Sequence, residues 1–553
     1  MVRRVAVIGA GAGGLASVKC CLDEGLEPTC FESSEDIGGV WRYTDSTDSR
    51  RITVYRSVIT NTSKEMSCFS DFPFPEDFPN YLPHSLVLEY LRMYAQHFDL
   101  LRHIRFQTTV LSVRKCPDFS TSGRWEVVTE SHGVRESHVF DAVMVCTGHY
   151  QEPYLPLASF PGVPQHQEPH MGRQPGLRPG LPHGHGQHHP LQLPPGLASP
   201  ISPCKEDQVS EVQFMVQPHK LWLGLQQKVD FSSCFVGCSG GLYNMKCLIL
   251  SFGGHFWNSK PSEGNCDHKK SHSRSLPDIN TALFSAASSK FKIIINEELP
   301  FCLLSGAVVL KPNVKEFTES SAVFEDGTTE ENIDVVLFAT GYNFSFPFLE
   351  ESVRGSIHDN RSLYNCVFPP QLEQPTLAII GLIQLTGSIM VGSEMQARWV
   401  TGVFAGWNKL PPPSRMMAEV LKMKPAIKRN PPERENLKMS FISYVDKIAA
   451  CAGVKPSVLR LLLTDPKLGL AIFFGPCSPY QYRLQGRGSW SGARAAILTQ
   501  WQRSLRPLRT RVLRDSSSSS WGWSWMCLLA LPAALTAAWL CSKYPQAGWS
   551  PRL

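Results

Sequence analysis

Three sets of residues in this 553-residue chain have types and spacings that could do chemistry. The first is the turn Gly9-Ala10-Gly11-Ala12-Gly13-Gly14, a G-x-G-x-x-G pattern, with Glu32 following about 20 residues on. That set suits a dinucleotide. Gly9 permits the tight turn, Gly11 lets the backbone approach a pyrophosphate, Gly14 allows close helix packing, and Glu32 is placed to hold a ribose 2′-hydroxyl. The second is Gly237-Cys238-Ser239-Gly240-Gly241, which fits the G-x-S-x-G elbow of serine hydrolases. No ordered oxyanion loop accompanies it, and so short a pattern arises readily by chance in a glycine-rich chain. The third is His183, His185, His188 and His189, which could ligate a metal. They are flanked by glycines in a flexible stretch and lack the supporting hydrogen-bonding groups that a defined metal site needs.

Only the first set has elements to position it. Val5 to Ile8 is a short apolar run that reads as a buried parallel strand. The spacing then predicts a helix from about Gly13 to Glu24, with its N-terminal N–H groups turned toward phosphates. A second strand, Glu27 to Glu32, ends on the acid. Arg3, Arg4 and the apolar residues after them could be mistaken for an export signal. The stretch holds too many glycines for that, and Lys19, Asp23 and Glu24 continue a regular helix. Without an export signal the 17 cysteines are expected to be reduced thiols. Cys20 and Cys21 read as packing, since no C-x-x-C accompanies them.

The residues after Glu32 indicate which dinucleotide. A second glycine pair with a Trp, Gly38-Gly39-Val40-Trp41, is what an extended FAD needs along its length. Further on stand Ser57-Val58-Ile59-Thr60-Asn61-Thr62-Ser63-Lys64-Glu65-Met66 and Asp71-Phe72-Pro73-Phe74-Pro75. Two apolar strands ending in Thr-Gly, Val143–Gly148 and Val335–Gly341, make sense as the points where a chain leaves and re-enters a flavin domain. With Pro375–Leu382 and Phe474–Tyr480, these motifs make the chain closely resemble the vertebrate flavin-containing monooxygenases, the dimethylaniline monooxygenase (N-oxide-forming) family. The resemblance covers about 1–162 and about 291–514.

It implies an α/β, Rossmann-like flavoprotein with two dinucleotide-binding domains, here with the second (NADPH) domain disrupted, plus a C-terminal transmembrane helix. The expected division is 1–162, first part of the FAD domain; 163–290, an anomalous segment; 291–342, the return from the NADPH domain; 343–514, the rest of the FAD domain and C-terminal region; and 515–553, a serine linker and anchor. Residues 161–203 are dense in Pro, Gly, His and Gln, a composition that cannot bury a core. From Cys204 to Lys290 short apolar pieces alternate with polar ones. No second glycine turn for NADPH is found there. Phe160-Pro161-Gly162 begins like the family's F-x-G-x-x-x-H signature, but His170 stands where an aromatic is required. The abrupt break and the clean resumption at Ile293–Pro300 suggest an aberrant exon or an out-of-frame stretch.

The net charge of +6 is modest and partly local, in Arg503, Arg506, Arg509, Arg511 and Arg514. With no aromatic stacking platform beside them, nucleic-acid binding is a poor reading. Trp521 to Cys541 carries no charge and is long enough to span a bilayer, with tryptophans at its ends. The upstream arginines then keep the globular part cytosolic, and Pro532 and the alanines leave a peripheral hairpin as the alternative. The family likewise ends in an endoplasmic-reticulum anchor.

What the resemblance implies chemically is NADPH- and O₂-dependent oxygenation of an amine nitrogen or a sulfur, through a flavin C4a-hydroperoxide. Gly9 to Gly14, Glu32, Gly39, Val40, Trp41, Thr60, Asn61 and Thr62 would hold the cofactors. Asn61 would be the catalytic residue, a neutral amide at the flavin's reactive edge. Its other reading is a glycosylation acceptor, Asn61-Thr62-Ser63, which a cytosolic enzyme would not use. Two readings of the whole stay open: a working monooxygenase, or an FAD-binding, membrane-tethered protein impaired in turnover. A disulfide reductase on the same scaffold would need a redox C-x-x-C that is missing.

Overall fold

The computed structural model describes residues 2–44, 52–150, 152–157, 160, 247–250, 308–333, 335–357, 362–385, 387–423 and 438–508. The chain divides into two units, Met1–Ser504 and Leu505–Leu553, and the second is described only over Leu505–Leu508. The strands in chain order begin with β1 (Arg4–Ile8), β2 (Glu27–Phe31) and β3 (Ile104–Arg105), followed by β4 (Thr109–Lys115), β5 (Trp125–Ser131) and β6 (Val134–Phe140). Next come β7 (Ala142–Val145), β8 (Glu152–Pro153), β9 (Cys247–Leu250), β10 (Val314–Phe317), β11 (Ala322–Phe324) and β12 (Thr329–Glu330). The last used below are β13 (Val335–Phe338), β14 (Tyr342–Asn343) and β15 (Leu377–Ile379). The helices that matter are α1 (Ala12–Asp23), α2 (Lys64–Ser67), α3 (His84–His97), α4 (Ile389–Phe404) and α5 (Ala493–Leu505).

Five parallel strands form the central sheet, in the order β15-β7-β1-β2-β3. Successive side chains of a strand point to opposite faces, and here both faces are covered. Val5 and Val7 enter one core with Ala142, Met144 and Ala378. Ala6 and Ile8 enter the other with Val143, Val145, Leu377 and Ile379. That double burial is why β1 and β7 are continuously apolar rather than alternating. The chain builds outward from β1 to β2 and β3, then returns to the other side of β1 for β7 and β15. The reversal leaves a crevice at the carboxyl ends of β1 and β7, the usual ligand position in such sheets.

α1 starts at Ala12, one residue earlier than its sequence suggests, and stops in a Schellman turn. The Gly25 N–H donates to the Leu22 carbonyl and the Leu26 N–H to the Cys21 carbonyl, with Gly25 at φ +72°. The antiparallel meander β4-β5-β6 contributes Val113, Trp125, Val127 and Phe140 to the second core. A smaller core holds Phe160, Val314, Phe317, Ala322 and Phe324, from β10, β11 and the end of the first crossing.

The two Thr-Gly segments run side by side. β8 pairs antiparallel with β14, and the Tyr154 N–H donates to the Gly341 carbonyl at 2.8 Å. Thr340 Oγ1 also donates to the Tyr154 carbonyl. β13 pairs in parallel with β9, which falls inside the segment expected to be anomalous. The rest of 163–290 lies outside the described residues, including the His183–His189 cluster and the Ser239 elbow. So do the resumption at Ile293–Pro300 and the Trp521–Cys541 stretch. Among the described residues no helix is long and apolar enough to cross a membrane, and no cluster of metal-ligating side chains occurs. Nine of the described cysteines are free thiols, among them Cys20 and Cys21, and burial pushes those two up.

A buried charge network ties α1 to the C-terminal half. Lys19 Nζ meets Asp71 at 2.6 Å, while Arg483 meets Asp71 at 2.9 Å and Glu394 at 2.8 Å. Glu394 also accepts from the Ser70 N–H and hydroxyl. Burial alone would raise the Asp71 pKa, but Arg483 and Lys19 outweigh it and hold the carboxyl below its ordinary 3.8. Removing one partner strands the other charges out of water. Arg483→Met is therefore expected to cost about 3–5 kcal/mol, read as a lowered denaturant midpoint of the purified protein; an unchanged midpoint would show that the network carries no net stability. The stabilisation from Asp71 is complete above pH 3.8 and fades as pH falls through its lower folded pKa.

Candidate functional site

The glycine turn closes where β1 ends. The Gly9 N–H donates to the Phe31 carbonyl at 2.8 Å, and Gly9 lies at φ +98°, where a side chain would be strained. A Cβ added to Gly14 would stand 1.8 Å from the Gly9 carbonyl oxygen, so the first turn of α1 rests directly on the glycine turn. Gly11 is the N-cap of α1, offers no side-chain cap, and no acid sits in the first turn. The first N–H groups of the helix are thus left for an outside acceptor, and the helix dipole favours an anion. Gly13 differs from its neighbours: a Cβ there meets Ile380 and Ser393 only at 3.6–3.8 Å, ordinary contact.

The second glycine pair faces the first. A Cβ on Gly11 would meet Gly39 Cα at 3.7 Å, and one on Gly39 would meet Gly11 Cα at 3.1 Å. The two bare backbones therefore pack directly on each other, an approach that a side chain on Gly39 would crowd. The Gly38 N–H donates to the Ala10 carbonyl at 3.0 Å, and Gly38 lies at φ +109° above Leu88 of α3. Val40 and Trp41 form a single 3₁₀ turn after it, and Trp41 packs half-buried against the first core.

Glu32 is buried at the end of β2. Its Oε2 accepts the Ala10 N–H at 2.7 Å, and its Oε1 accepts the Ser34 N–H and hydroxyl. The carboxylate thus braces the glycine turn while keeping lone pairs for a further donor such as a sugar hydroxyl.

The Asn61 segment is joined to this site through the chain before it. The Val54 N–H donates to the Val40 carbonyl at 3.0 Å, and the Thr53 hydroxyl to the Arg42 carbonyl at 3.0 Å. Thr60 is bound on both sides to Leu82: its N–H donates to the Leu82 carbonyl and its hydroxyl accepts the Leu82 N–H. Thr62 Oγ1 pairs with Ser67 Oγ at 2.6 Å. Both threonine hydroxyls hold the loop, whereas Asn61 between them is exposed.

Sequence reasoning missed what anchors that loop. Lys64 is fully buried and its ammonium donates to the Glu76 and Phe78 carbonyls at 2.7 Å each. Glu65 takes a two-point hold from Arg503 of α5, at 3.0 and 2.6 Å, and the Tyr480 hydroxyl at 2.9 Å. No local pattern could reveal a pair 438 residues apart. Arg503→Met is expected to loosen the loop after Asn61 and cost about 3 kcal/mol or more. Faster amide exchange over 60–68 would register it, and unchanged exchange there would refute it.

His149 was also missed. It follows the first Thr-Gly, is 6% exposed, and its Nδ1 lies 3.1 Å from the Gly381 carbonyl. Burial pushes its pKa down to about 4.

Comparison with known proteins identifies the family and the fold. A model of the family described as "Flavin-binding monooxygenase-like" matches residues 2–174 and 268–543. The match reaches further at both breaks than the motifs suggest, and it includes the Trp521–Cys541 stretch. Dimethylaniline monooxygenase (N-oxide-forming) 4 of Mus musculus is 45% identical over 545 residues, covering 98% of this chain and 95% of that protein. Flavin-containing monooxygenase 2 of Homo sapiens is 45% identical over 561 residues and covers all of both chains. Among solved structures, S-allyl-L-cysteine S-oxygenase from Allium sativum superposes with a TM-score of 0.52 at 21% identity, over 92% of this chain and 99% of that one, a likeness of fold.

Proposed function

The chain belongs to the flavin-binding monooxygenase-like family, and from that premise we propose that it is an FAD- and NADPH-dependent oxygenase of soft nitrogen or sulfur atoms in small amines and sulfides. The observation that carries the flavin part is the α1 N-terminus without a cap of its own, at a glycine turn against which the backbone of the second glycine pair packs. When bound there, FAD supplies the chemistry of hydride acceptance and O₂ activation.

The residues of the chain do the rest. The N–H groups from Ala12 to Gly14 bind the pyrophosphate, Glu32 accepts the adenosine ribose hydroxyl, and the Gly38–Trp41 turn lies along the cofactor. Thr60 and Thr62 hold Asn61 in place, and its amide, which neither gives nor takes a proton near neutral pH, orients reactants by hydrogen bonds alone. The protein then needs no strong base, only a site closed to water. Purified protein should carry FAD and convert a tertiary amine to its N-oxide, or a sulfide to its S-oxide, with NADPH and O₂. Absence of bound flavin would sink the proposal.

A second reading rests on a specific observation. The family model passes over residues 175–267, and no G-x-G-x-x-G with strand and helix around it occurs in 163–290. An FAD-binding protein with a weakened NADPH site fits that gap.

The chain is further proposed to be held at the endoplasmic-reticulum membrane by 521–541, with its globular part cytosolic. Full-length protein should resist carbonate washing of microsomes, and a chain ending at Arg514 should be released. Unchanged retention after truncation would place the attachment elsewhere.

A further inference from the structure

His149 occupies an unusual position for an ionisable ring. It lies just past the carboxyl end of β7, beyond Cys146, whose carbonyl oxygen is 3.0 Å from a Cβ built on Gly9. Its Nδ1 is held by the carbonyl of Gly381, just past the carboxyl end of β15. Ser393 connects that point to α1: its side chain comes within 3.2 Å of a Cβ on Gly381 and within 3.7 Å of one on Gly13. Ser393 thus links the backbone that holds the imidazole to the first turn of α1, and the ring itself follows β7 at the end of the sheet where the strand order reverses.

A carbonyl oxygen can only accept, so Nδ1 carries the hydrogen and the other nitrogen, Nε2, presents a lone pair. Nε2 is buried with no hydrogen-bond partner. The ring cannot readily escape this by taking a proton, because burial lowers its pKa to about 4. A buried acceptor left unmet costs free energy. The ring itself is well held, 4.2 Å centroid to centroid from Tyr150.

We infer that His149 Nε2 accepts a hydrogen bond from a ribityl hydroxyl of the bound flavin. The inference rests on the flavin reading of the glycine turn and adds a residue to it. The pyrophosphate of FAD joins two hydroxyl-bearing groups, the adenosine ribose and the ribityl polyol. Glu32 at the end of β2 takes the ribose on this reading, which leaves the polyol as the donor for an acceptor past the end of β7, on the other side of β1. His149 is on this account a positioning residue: it fixes the ribityl chain and, through it, the depth of the ring system.

The test is FAD binding to the full-length protein, read by quenching of flavin fluorescence and by the visible absorption band. His149→Phe keeps the tilted ring contact with Tyr150 and removes both nitrogens, and FAD should bind about tenfold more weakly. His149→Gln can still donate to Gly381 and offer an acceptor, and should recover most of that loss. On wild-type protein at least one deoxyribityl FAD analogue should bind about tenfold more weakly than FAD, with no further loss when His149 is replaced. An analogue series that loses as much in His149→Phe as FAD does would overturn the inference, as would equal FAD affinity in wild type and His149→Phe. Should His149→Phe fail to fold, the analogue series on wild type and His149→Gln decides alone: no analogue weaker than FAD on wild type overturns it. Failure of wild type to bind FAD at all overturns the flavin reading together with this one.

Discussion

Gly14→Ala is expected to prevent accumulation of folded, yellow protein, while Gly11→Val is expected to fold and emerge colourless. The two glycines sit three residues apart and do different work. A methyl on Gly14 would stand 1.8 Å from the Gly9 carbonyl oxygen, and both partners are backbone, so no rotamer change relieves it. Helix α1 would have to lift off β1, taking Leu15, Ala16 and Val18 out of the first core. That places the cost at or beyond the ~3 kcal/mol upper end usual for overpacking. Gly11 has an ordinary φ of −72° and its nearest neighbour to an added Cβ is 3.7 Å away. A Cβ there makes only ordinary contact, so the fold is expected to survive, while the added bulk would obstruct the close backbone approach of a pyrophosphate. Circular dichroism and the visible flavin band separate the cases. Native-like helix content with full flavin occupancy in Gly11→Val would show that the pyrophosphate lies elsewhere, and a stable, flavin-loaded Gly14→Ala would refute the packing argument.

The contrast explains what was legible in the sequence. Spacing alone marked Gly9, Gly11 and Gly14, because a phosphate-binding turn imposes its geometry on consecutive residues. The acid at Glu32 was legible for the same reason, as the distance from turn to acid is fixed by one helix and one strand. Its second duty, accepting the Ala10 N–H, was not, since it depends on the side chain folding back on the turn. The Gly38–Trp41 loop pointed to a flavin by its second glycine pair and Trp; its packing against Gly11, through two positive-φ glycines, Gly38 and Gly39, was not legible. The residues that hold Asn61 in place, Lys64, Glu65, Tyr480 and Arg503, were invisible because their partners come from distant segments. The same is true of Lys19, which the helix pattern treats as one more charged position but which the fold buries against Asp71. His149 directly follows the first Thr-Gly, and only its burial and its unmet nitrogen give it a role.

NADPH-driven oxygenation by this chain is expected to be slow and poorly coupled, with most of the electrons taken from NADPH recovered as H₂O₂. The residues proposed to hold the flavin are all among the described ones: glycine turn, acid, second glycine loop and a braced Asn61 segment. The nucleotide side depends on 163–290, where the sequence offers no glycine turn between a strand and a helix. The family model leaves 175–267 unmatched. Backbone N–H groups at such a turn normally carry much of the pyrophosphate binding. Without them NADPH is held only by what remains, so the concentration needed for hydride transfer rises steeply. A nucleotide that does not stay bound after reduction also fails to shield the activated oxygen from water, and a site open to water loses that oxygen as peroxide. The balance is NADPH + H⁺ + O₂ → NADP⁺ + H₂O₂, in competition with transfer of one oxygen atom to the substrate and one to water. Measuring NADPH consumed, H₂O₂ released and N-oxide or S-oxide formed on flavin-loaded protein separates the two. Product equal to NADPH consumed, at micromolar NADPH and without peroxide, would show that 163–290 does build a nucleotide site and that the chain is a competent monooxygenase.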